Sequence, residues 1–210
     1  MGASVSLLSE ARLRGYSLSA GRPVAELDLS YDHSSGLYAG ISGSIVAHDG
    51  VNPLGLQESI GYAVPLGRGP TLDLGIVNSN YSKHSGHYRS LSYTELYAGL
   101  IGKNVASHLY LSPNYFHSEV WTLYGDLDVA VQPARKWRLT GHVGALTYLH
   151  GSEYDPEHAR SQYDWRVGVA RELGRFSLQA ALSSGGPGDD YYDYGEHSRT
   201  ALTFGASCIF

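Results

Sequence analysis

Alternation of apolar and polar side chains along almost the whole chain is the feature that most limits what this sequence can fold into. The last nine residues show it clearly. Successive side chains of a β-strand point to opposite faces, so the even-numbered positions here predict one apolar face. That face consists of Leu202, Phe204, Ala206, Cys208 and Phe210.

The same pattern recurs in about twelve segments of roughly 9 to 14 residues, the length that a tilted membrane strand needs. The first segment places Val5, Leu7 and Leu13 on its apolar face, and the pattern then continues through the chain. A period of two indicates strands, whereas a helix gives a period of 3.6. Ten strands remain the alternative if the first or fifth hairpin folds differently.

Composition favours a closed barrel. The chain has 210 residues with 26 Gly and 17 Tyr, and it contains no run of about 20 apolar residues that would form a membrane-spanning helix. In lipid every backbone N–H and C=O must be paired, which strands achieve only by closing into a barrel. A soluble barrel or sandwich also alternates. However, the opposite face carries charged and small residues, which suits a hydrated lumen better than a packed core. We predict one domain, 1–210, an all-β transmembrane antiparallel up-and-down barrel.

Short and long connections alternate between the predicted strands, as they do in outer-membrane barrels. The short connections are Ser34 to Gly36, Leu66 to Pro70, Gly102 to Asn104, Pro133 to Lys136 and Leu173 to Arg175. The longer, polar connections are Leu18 to Arg22, His48 to Pro53, Lys83 to Leu91, Pro113 to Ser118, Gly151 to Arg160 and Gly185 to Arg199. This order predicts an even strand number and both termini in the periplasm.

The two ends of the chain indicate export to a bacterial outer membrane. The N-terminus enters a strand without a basic and then apolar leader, so we expect that a signal peptide has been removed. The final strand ending at Phe210 is typical of barrels that the insertion machinery recognises. Outer-membrane lipid and lipopolysaccharide are the other expected partners. The formal net charge of −5 and the scattered bases argue against nucleic acid.

A motif near the N-terminus resembles a known family. Residues Ser9-Glu10-Ala11-Arg12-Leu13-Arg14-Gly15-Tyr16-Ser17-Leu18-Ser19, followed by Pro23, are similar to the opening S-[DE]-x-R-x-R-G-x-S-x-S of the TorF family of proteobacterial outer-membrane porins. Ser35 to Gly40 and Tyr93 to Tyr97 resemble its second- and sixth-strand patterns. The resemblance implies an outer-membrane barrel. In the fourth strand Glu58 departs from the family pattern and falls on the lipid-facing register, so we expect a bulge there or a place in an outer loop.

The polar face holds the candidate pore-lining residues. They are Glu10, Arg12, Arg14, Glu26, Asp28, Asp73, Glu95, Tyr97, Asp126, Asp128, Arg138, His142, Asp164 and Arg166. A buried charge without water or a partner costs several kcal/mol, so these groups must be paired or hydrated. One interpretation is a set of salt bridges that brace a narrow barrel, and the other is a pore lining.

The charge of that face bears on what could pass. With Asp32 included, nine carboxylates face inward against four arginines, and rings of carboxylate favour cations. A barrel of this width can hold a narrow aqueous passage. We therefore predict a passive channel for small polar solutes or ions with a mild cation preference and no cofactor. The sequence does not identify the solute.

Two other functions remain open. An outer-membrane lipid-modifying enzyme needs a nucleophile beside a base, and His84 to His87 is the nearest candidate. A surface binding or adhesive barrel would act through its loops. The last loop is rich in tyrosine and acids, and Asp189, Asp190, Asp193 and Glu196 are weak candidates for a hard cation such as calcium.

Overall fold

The computed structural model describes residues 1–47, 49–82, 91–151, 161–187 and 199–210. The strands are, in chain order, β1 (Gly2–Leu8), β2 (Arg12–Leu13), β3 (Tyr16–Ser17), β4 (Val24–Asp32), β5 (Leu37–Ala47), β6 (Val51–Pro65), β7 (Thr71–Tyr81), β8 (Leu91–Ile101), β9 (Val105–Ser112), β10 (Trp121–Ala134), β11 (Trp137–His150), β12 (Ser161–Leu173), β13 (Phe176–Gly186) and β14 (Thr200–Ile209). In the part of the chain that the structure describes, no helix is long and apolar enough to cross a membrane.

Twelve of these strands form one closed antiparallel barrel. β4 to β14 follow one another in chain order, and β1 closes the ring by pairing with both β14 and β4. The register at the closure joins Val5 to Cys208 on one side and to Leu27 on the other. The twelve-stranded up-and-down prediction is therefore confirmed, and the ten-stranded alternative is wrong. β2 and β3 form a separate two-stranded sheet.

The connections divide between the two ends of the barrel, as the alternation predicted. The short ones, 33–36, 66–70, 102–104, 135–136 and 174–175, share one end. Both termini lie there too, because Gly2 pairs with Ser30 and the Phe210 N–H donates to the Ala3 carbonyl at 2.9 Å. At the opposite end, the connection predicted from His48 to Pro53 is shorter than expected, since β6 already begins at Val51.

The outward face of the wall is apolar and exposed. On β14 the even-numbered side chains point outward as predicted, and Leu202 and Phe204 are 58% and 57% exposed. The other strands add, among others, Leu29, Leu37, Ile60, Leu96, Leu109, Leu127, Leu139, Val143, Val167 and Leu182. An apolar surface that encircles a protein far exceeds the patches that soluble monomers expose. It suits contact with lipid.

Glu58 corrects one expectation from the sequence. It lies within β6, paired with Ile41 and Asn78 in unbroken register, and is exposed on the outer face. The register shift lies nearer the start of β6, between Ser44 and Ile45 on the partner strand. Both explanations offered for Glu58, a local bulge and an outer loop, are therefore wrong. Its neighbour Asn78 donates to the Thr94 hydroxyl at 2.9 Å, so the outer face is locally polar there.

The barrel predicts that a new charge lowers stability much more on its outer face than on its inner face. Leu127→Arg places a guanidinium on the apolar outer face, where it should cost about 2–4 kcal/mol at mid-membrane depth. Thr140→Arg, on the neighbouring strand, points into the lumen and should change stability much less. Urea titration of the two variants refolded in lipid bilayers measures the difference. Equal destabilisation would contradict the assigned faces.

Candidate functional site

Residues 9–23, here called the inner segment, leave the wall and fold into the barrel. β1 ends at Leu8 and β4 begins at Val24, and between them Arg12 pairs with Ser17 and Leu13 with Tyr16 in a small hairpin. Tyr16 and Leu18 are buried. The prediction that the first strand runs on to Leu13 and presents it outward is therefore wrong. Leu13 instead packs against buried residues inside the barrel.

Serines of the N-terminal motif fix the inner segment in place. The Ser9 N–H donates to the Phe204 carbonyl at 2.8 Å, and the Phe204 N–H donates back to the Ser9 hydroxyl at 2.9 Å. The Ser19 hydroxyl accepts from the Ala11 N–H at 3.0 Å and donates to the Arg22 carbonyl at 2.8 Å. Backbone groups that leave the barrel ladder thus regain partners, as buried polar groups require.

Gly15 allows the inner segment to touch the wall. Its φ is +80°, and a Cβ at this position would lie 2.5 Å from the Ser184 carbonyl oxygen and 2.6 Å from the Gly185 Cα. No larger residue fits without displacing β13. The next residue, Tyr16, donates its hydroxyl to the Pro187 carbonyl at 3.0 Å. The tip of the inner segment is therefore held against β13.

Arg14 anchors the inner segment to the opposite side of the lumen. Its Nη2 lies 2.7 and 2.9 Å from the two Glu95 carboxylate oxygens. The guanidinium also sits 3.9 Å above the Tyr124 ring centre and 5.3 Å from that of Tyr115. Both partners of the ion pair have side chains less than 10% exposed. Charge-assisted hydrogen bonds and cation–π contacts are strongest in such a desolvated position.

An aromatic cluster surrounds this ion pair. Tyr93 of β8 and Tyr124 of β10 are buried together with Tyr115 from the connection between β9 and β10. The Tyr93 ring lies 4.9 Å from Tyr115 and 4.9 Å, edge-on, from Phe116. The connection predicted as a polar outer loop, Pro113 to Ser118, thus contributes two aromatic rings to the interior.

The wall beside this cluster carries a histidine between two aspartates. His108 of β9 directs Nε2 to Asp73 at 3.2 Å and Nδ1 to Asp126 at 3.7 Å. Asp73 also accepts from the Tyr38 hydroxyl at 2.5 Å, and that hydroxyl contacts the Tyr97 hydroxyl. The carboxylates therefore have polar partners within the wall.

A second histidine repeats the arrangement one hairpin further on. His142 of β11 places Nδ1 2.9 Å from Asp128 and Nε2 2.9 Å from Asp164. Asp164 also accepts from the Tyr124 hydroxyl at 3.1 Å. A protonated imidazole donates from both nitrogens and so satisfies two carboxylates at once. This set shares Tyr124 with the cluster around Arg14.

Inward-facing glycines make room for these side chains. A Cβ on Gly99 would lie 2.1 Å from the His108 ring, and one on Gly144 would lie 2.0 Å from the Tyr124 hydroxyl. His108 and Tyr124 therefore lie flat across the neighbouring strand. Rings in this orientation fill less of the lumen than rings that project toward the barrel axis would.

The inner segment divides the lumen. Three lumenal cavities of about 500, 380 and 250 Å³ all have Arg12 and Arg166 in their lining. Arg12 is held by Glu10 at 3.1 Å and by the carbonyls of Gly15 and Arg199. Arg138 lines the smallest cavity. Water and small solutes would have to pass the inner segment to cross the barrel.

The fourteen candidate pore-lining residues all lie on the lumenal side. Arg12 and Arg166 line all three cavities. Ten others line at least one of them: Glu10, Arg14, Glu26, Asp73, Glu95, Tyr97, Asp126, Arg138, His142 and Asp164. Asp28 accepts from the Ser4 hydroxyl at 2.9 Å, and Asp128 is the partner of His142. That they line a conducting pore stays a prediction.

Some residues singled out in the sequence lie outside the part of the chain that the structure describes. The candidate cation ligands Asp189, Asp190, Asp193 and Glu196 do so, as do His84 and His87. Within the described ranges, no group of three or more His, Cys, Asp or Glu side chains could hold a metal ion.

The sequence interpretation missed the aromatic contribution to the site. Tyr93 and Tyr124 occupy inward positions of their strands, as the alternation alone could have indicated. Nothing in the sequence indicated that Tyr115, in a connection, turns inward.

The family comparison covers most of the chain. A family model described as "Bacterial protein of unknown function (Gcw_chp)" matches residues 1–197. The matching family model is not that of the TorF family. The resemblance of the N-terminal motif to TorF porins therefore stays a prediction. No curated protein matches the sequence.

Solved structures share the fold at low sequence identity. A NanC porin structure has a TM-score of 0.65 at 10% identity, covering 99% of this chain and 98% of the other. A KdgM porin has a TM-score of 0.60 at 11% identity, covering 100% and 99%. LpxR from Salmonella typhimurium has a TM-score of 0.52 at 9% identity, covering 100% and 99%. The chain thus has the fold of outer-membrane porins.

The ion pair of Arg14 with Glu95 predicts how the inner segment can be released from its place in the lumen. Arg14→Ala leaves Glu95 buried without its counter-charge, which costs about 3–5 kcal/mol when one partner of a buried pair is removed. A cysteine at Ser17, which is 1% exposed, should then react with a thiol reagent at least about tenfold faster, measured in a Cys208→Ser background. Arg22→Ala removes an arginine from the same segment and should not raise the rate. Unchanged labelling in Arg14→Ala would show that Arg14 does not hold the segment.

Proposed function

The chain belongs to the Gcw_chp family of bacterial proteins of unknown function, and we propose that it is an outer-membrane channel for passive diffusion of small polar solutes or ions. The observation that carries this proposal is the contrast between the two faces of one closed sheet. The outer face is apolar and exposed, whereas the inner face is charged and encloses cavities. A wall of this kind separates lipid from water.

Conduction would be limited by the inner segment. Arg12 and Arg14 project from it toward opposite sides of the lumen, and their contacts subdivide the interior. The narrowest part of the path would therefore lie beside this segment. A low conductance is expected for the wild-type barrel.

Charge selectivity is the finer part of the proposal. Carboxylates outnumber arginines in the lumen, which supports a mild cation preference. However, most of the described carboxylates have polar partners: Asp73 and Asp126 contact His108, Asp128 and Asp164 contact His142, and Glu95 pairs with Arg14. The preference should therefore be weak. Among these acids the Asp128 side chain is the most open, at 43% exposed.

The alternatives are an enzyme and a surface-binding barrel. Both would act through residues near the long connections, and the candidates named for them lie outside the described residues. The channel is the proposal that the described lumen supports.

Single-channel recording tests the channel itself. The refolded wild-type protein should give a small, steady conductance in planar bilayers. Arg14→Ala should raise it at least about twofold, because the inner segment no longer holds its place across the lumen. Arg22→Ala is again the matched control. A wild type that does not conduct would refute the channel and leave a closed, internally braced barrel.

Reversal potentials test the charge selectivity. Asp126→Asn with Asp128→Asn removes two lumenal carboxylates without touching Glu95, so that the Arg14 anchor stays. Because charges within a low-dielectric wall are poorly screened, cation preference should fall in a salt gradient. The control Glu58→Gln removes an exposed carboxylate from the outer face of the barrel. The same selectivity in all three proteins would contradict a role for these carboxylates.

Thiol labelling of intact cells tests location and orientation. In a Cys208→Ser background, cysteine at the exposed Glu119 should react with an impermeant reagent from outside. Cysteine at the exposed Ala134, at the end with the short connections, should react only after the outer membrane is permeabilised. The reverse pattern would place the termini outside rather than in the periplasm.

A further inference from the structure

We propose that Arg138 and Arg166, together with Arg12, form a binding site for the oxyanion group of a small solute, a carboxylate or a phosphate. This inference rests on the proposed channel function and narrows its solute class. The site is the 250 Å³ cavity between strands β11 to β14 and the inner segment.

In the described part of the chain, two arginines of this cavity, Arg138 and Arg166, lack the close ion pairs that hold other lumenal charges. Arg138 and Arg166 are exposed to the lumen, and within the described residues neither takes part in an ion pair or a side-chain hydrogen bond. Glu10 is the carboxylate of the lining, and Arg12 already holds it at 3.1 Å. The cavity therefore has an excess of positive charge.

Arg12 adds a donor that is not satisfied. Its Nη atoms bind Glu10, Gly15 and Arg199, but its Nε is buried and has no acceptor among the described residues. A buried N–H without an acceptor is costly. An oxyanion bound against Arg12 would remove that cost.

The strands around the arginines leave space for a ligand. Apart from Gln179 and the arginines, the inward positions of β11 to β14 that line this cavity carry small residues: Thr140, Gly168, Ala170, Ala181, Ser183 and Thr203. The wall from β7 to β10 differs, because there histidine and tyrosine side chains lie across the strands and bind the carboxylates. Small residues beside free guanidiniums give a cavity, and hydroxyls of Thr140 and Thr203 could contact neutral parts of a solute.

The acid that interacts electrostatically with Arg166, Asp128, is already bound by a histidine. Asp128, His142 and Arg166 stand opposite one another on β10, β11 and β12. The Asp128 carboxylate lies 2.9 Å from His142 Nδ1. His142 thus lies between Asp128 and the strand that carries Arg166, which leaves the guanidinium fork available. The planar fork of arginine matches carboxylate and phosphate oxygens with two parallel hydrogen bonds.

Current block in planar bilayers tests the site. D-glucuronate, added to the wild-type channel, should reduce the potassium chloride current in a saturable way, whereas D-glucose, the matched neutral sugar, should not. Arg138→Gln with Arg166→Gln should raise the half-blocking concentration of glucuronate at least about tenfold. Arg138→Lys with Arg166→Lys keeps the charge without the fork and should fall between the two. Arg135→Gln with Arg175→Gln, which removes two exposed arginines at short connections, should match the wild type.

A second set of measurements separates the possible outcomes. Inorganic phosphate added with glucuronate shows by competition which oxyanion binds more tightly, and calorimetry of the detergent-refolded protein measures binding without conduction. A barrel that binds glucuronate through these arginines but does not conduct would refute the channel and keep the site. Two results would overturn the site. In the first, the barrel conducts but neither oxyanion blocks its current or binds to it. In the second, the glutamine variant behaves as the wild type. Heat-shifted gel mobility verifies that each variant is folded.

Discussion

The hydrogen bonds between β1 and β14 close the sheet, and the rest of the structure depends on that closure. A closed sheet has no edge, so the backbone of the wall is paired without any contribution from a packed interior. The outer face can then be apolar throughout, with Leu202 and Phe204 exposed on the closing strand itself. The interior, freed from supplying the main hydrophobic core, can hold charged side chains and cavities.

Charged groups inside the barrel are arranged in two regions of different character. On β7 to β12 five carboxylates have a histidine, tyrosine or arginine partner, namely those of Asp73, Glu95, Asp126, Asp128 and Asp164, and His108 and His142 each lie between two aspartates. The cavity between β11 to β14 and the inner segment is instead lined by three arginines and one glutamate, and small residues leave space there. A solute in this lumen would meet carboxylates that already have partners on one side and the exposed guanidiniums of Arg138 and Arg166 on the other.

The inner segment joins these regions. Arg14 reaches Glu95 and the tyrosine cluster, while Arg12 borders the three cavities. Burial of the Arg14–Glu95 pair costs desolvation, and a pair of this kind is maintained only with good geometry and further contacts, which Tyr124 and Tyr115 provide. The same contacts that hold the segment also determine how much of the lumen stays open.

The sequence alone determined the wall. Alternation with a period of two fixes which side chains face out, and the order of connections fixes the up-and-down topology, so the twelve strands and the lumenal side of the charged residues followed from local pattern. Only the tertiary structure decided that the chain leaves the wall after Leu8 and that Tyr115 turns inward, because these features depend on contacts with residues distant in sequence. Residues 12 to 16 can continue a strand or form a hairpin by local preference, and the contacts of Gly15 with β13 and of Arg14 with Glu95 favour the hairpin. Partners of the lumenal charges were undetermined for the same reason, since alternation gives a side chain its face but not its neighbour across the barrel.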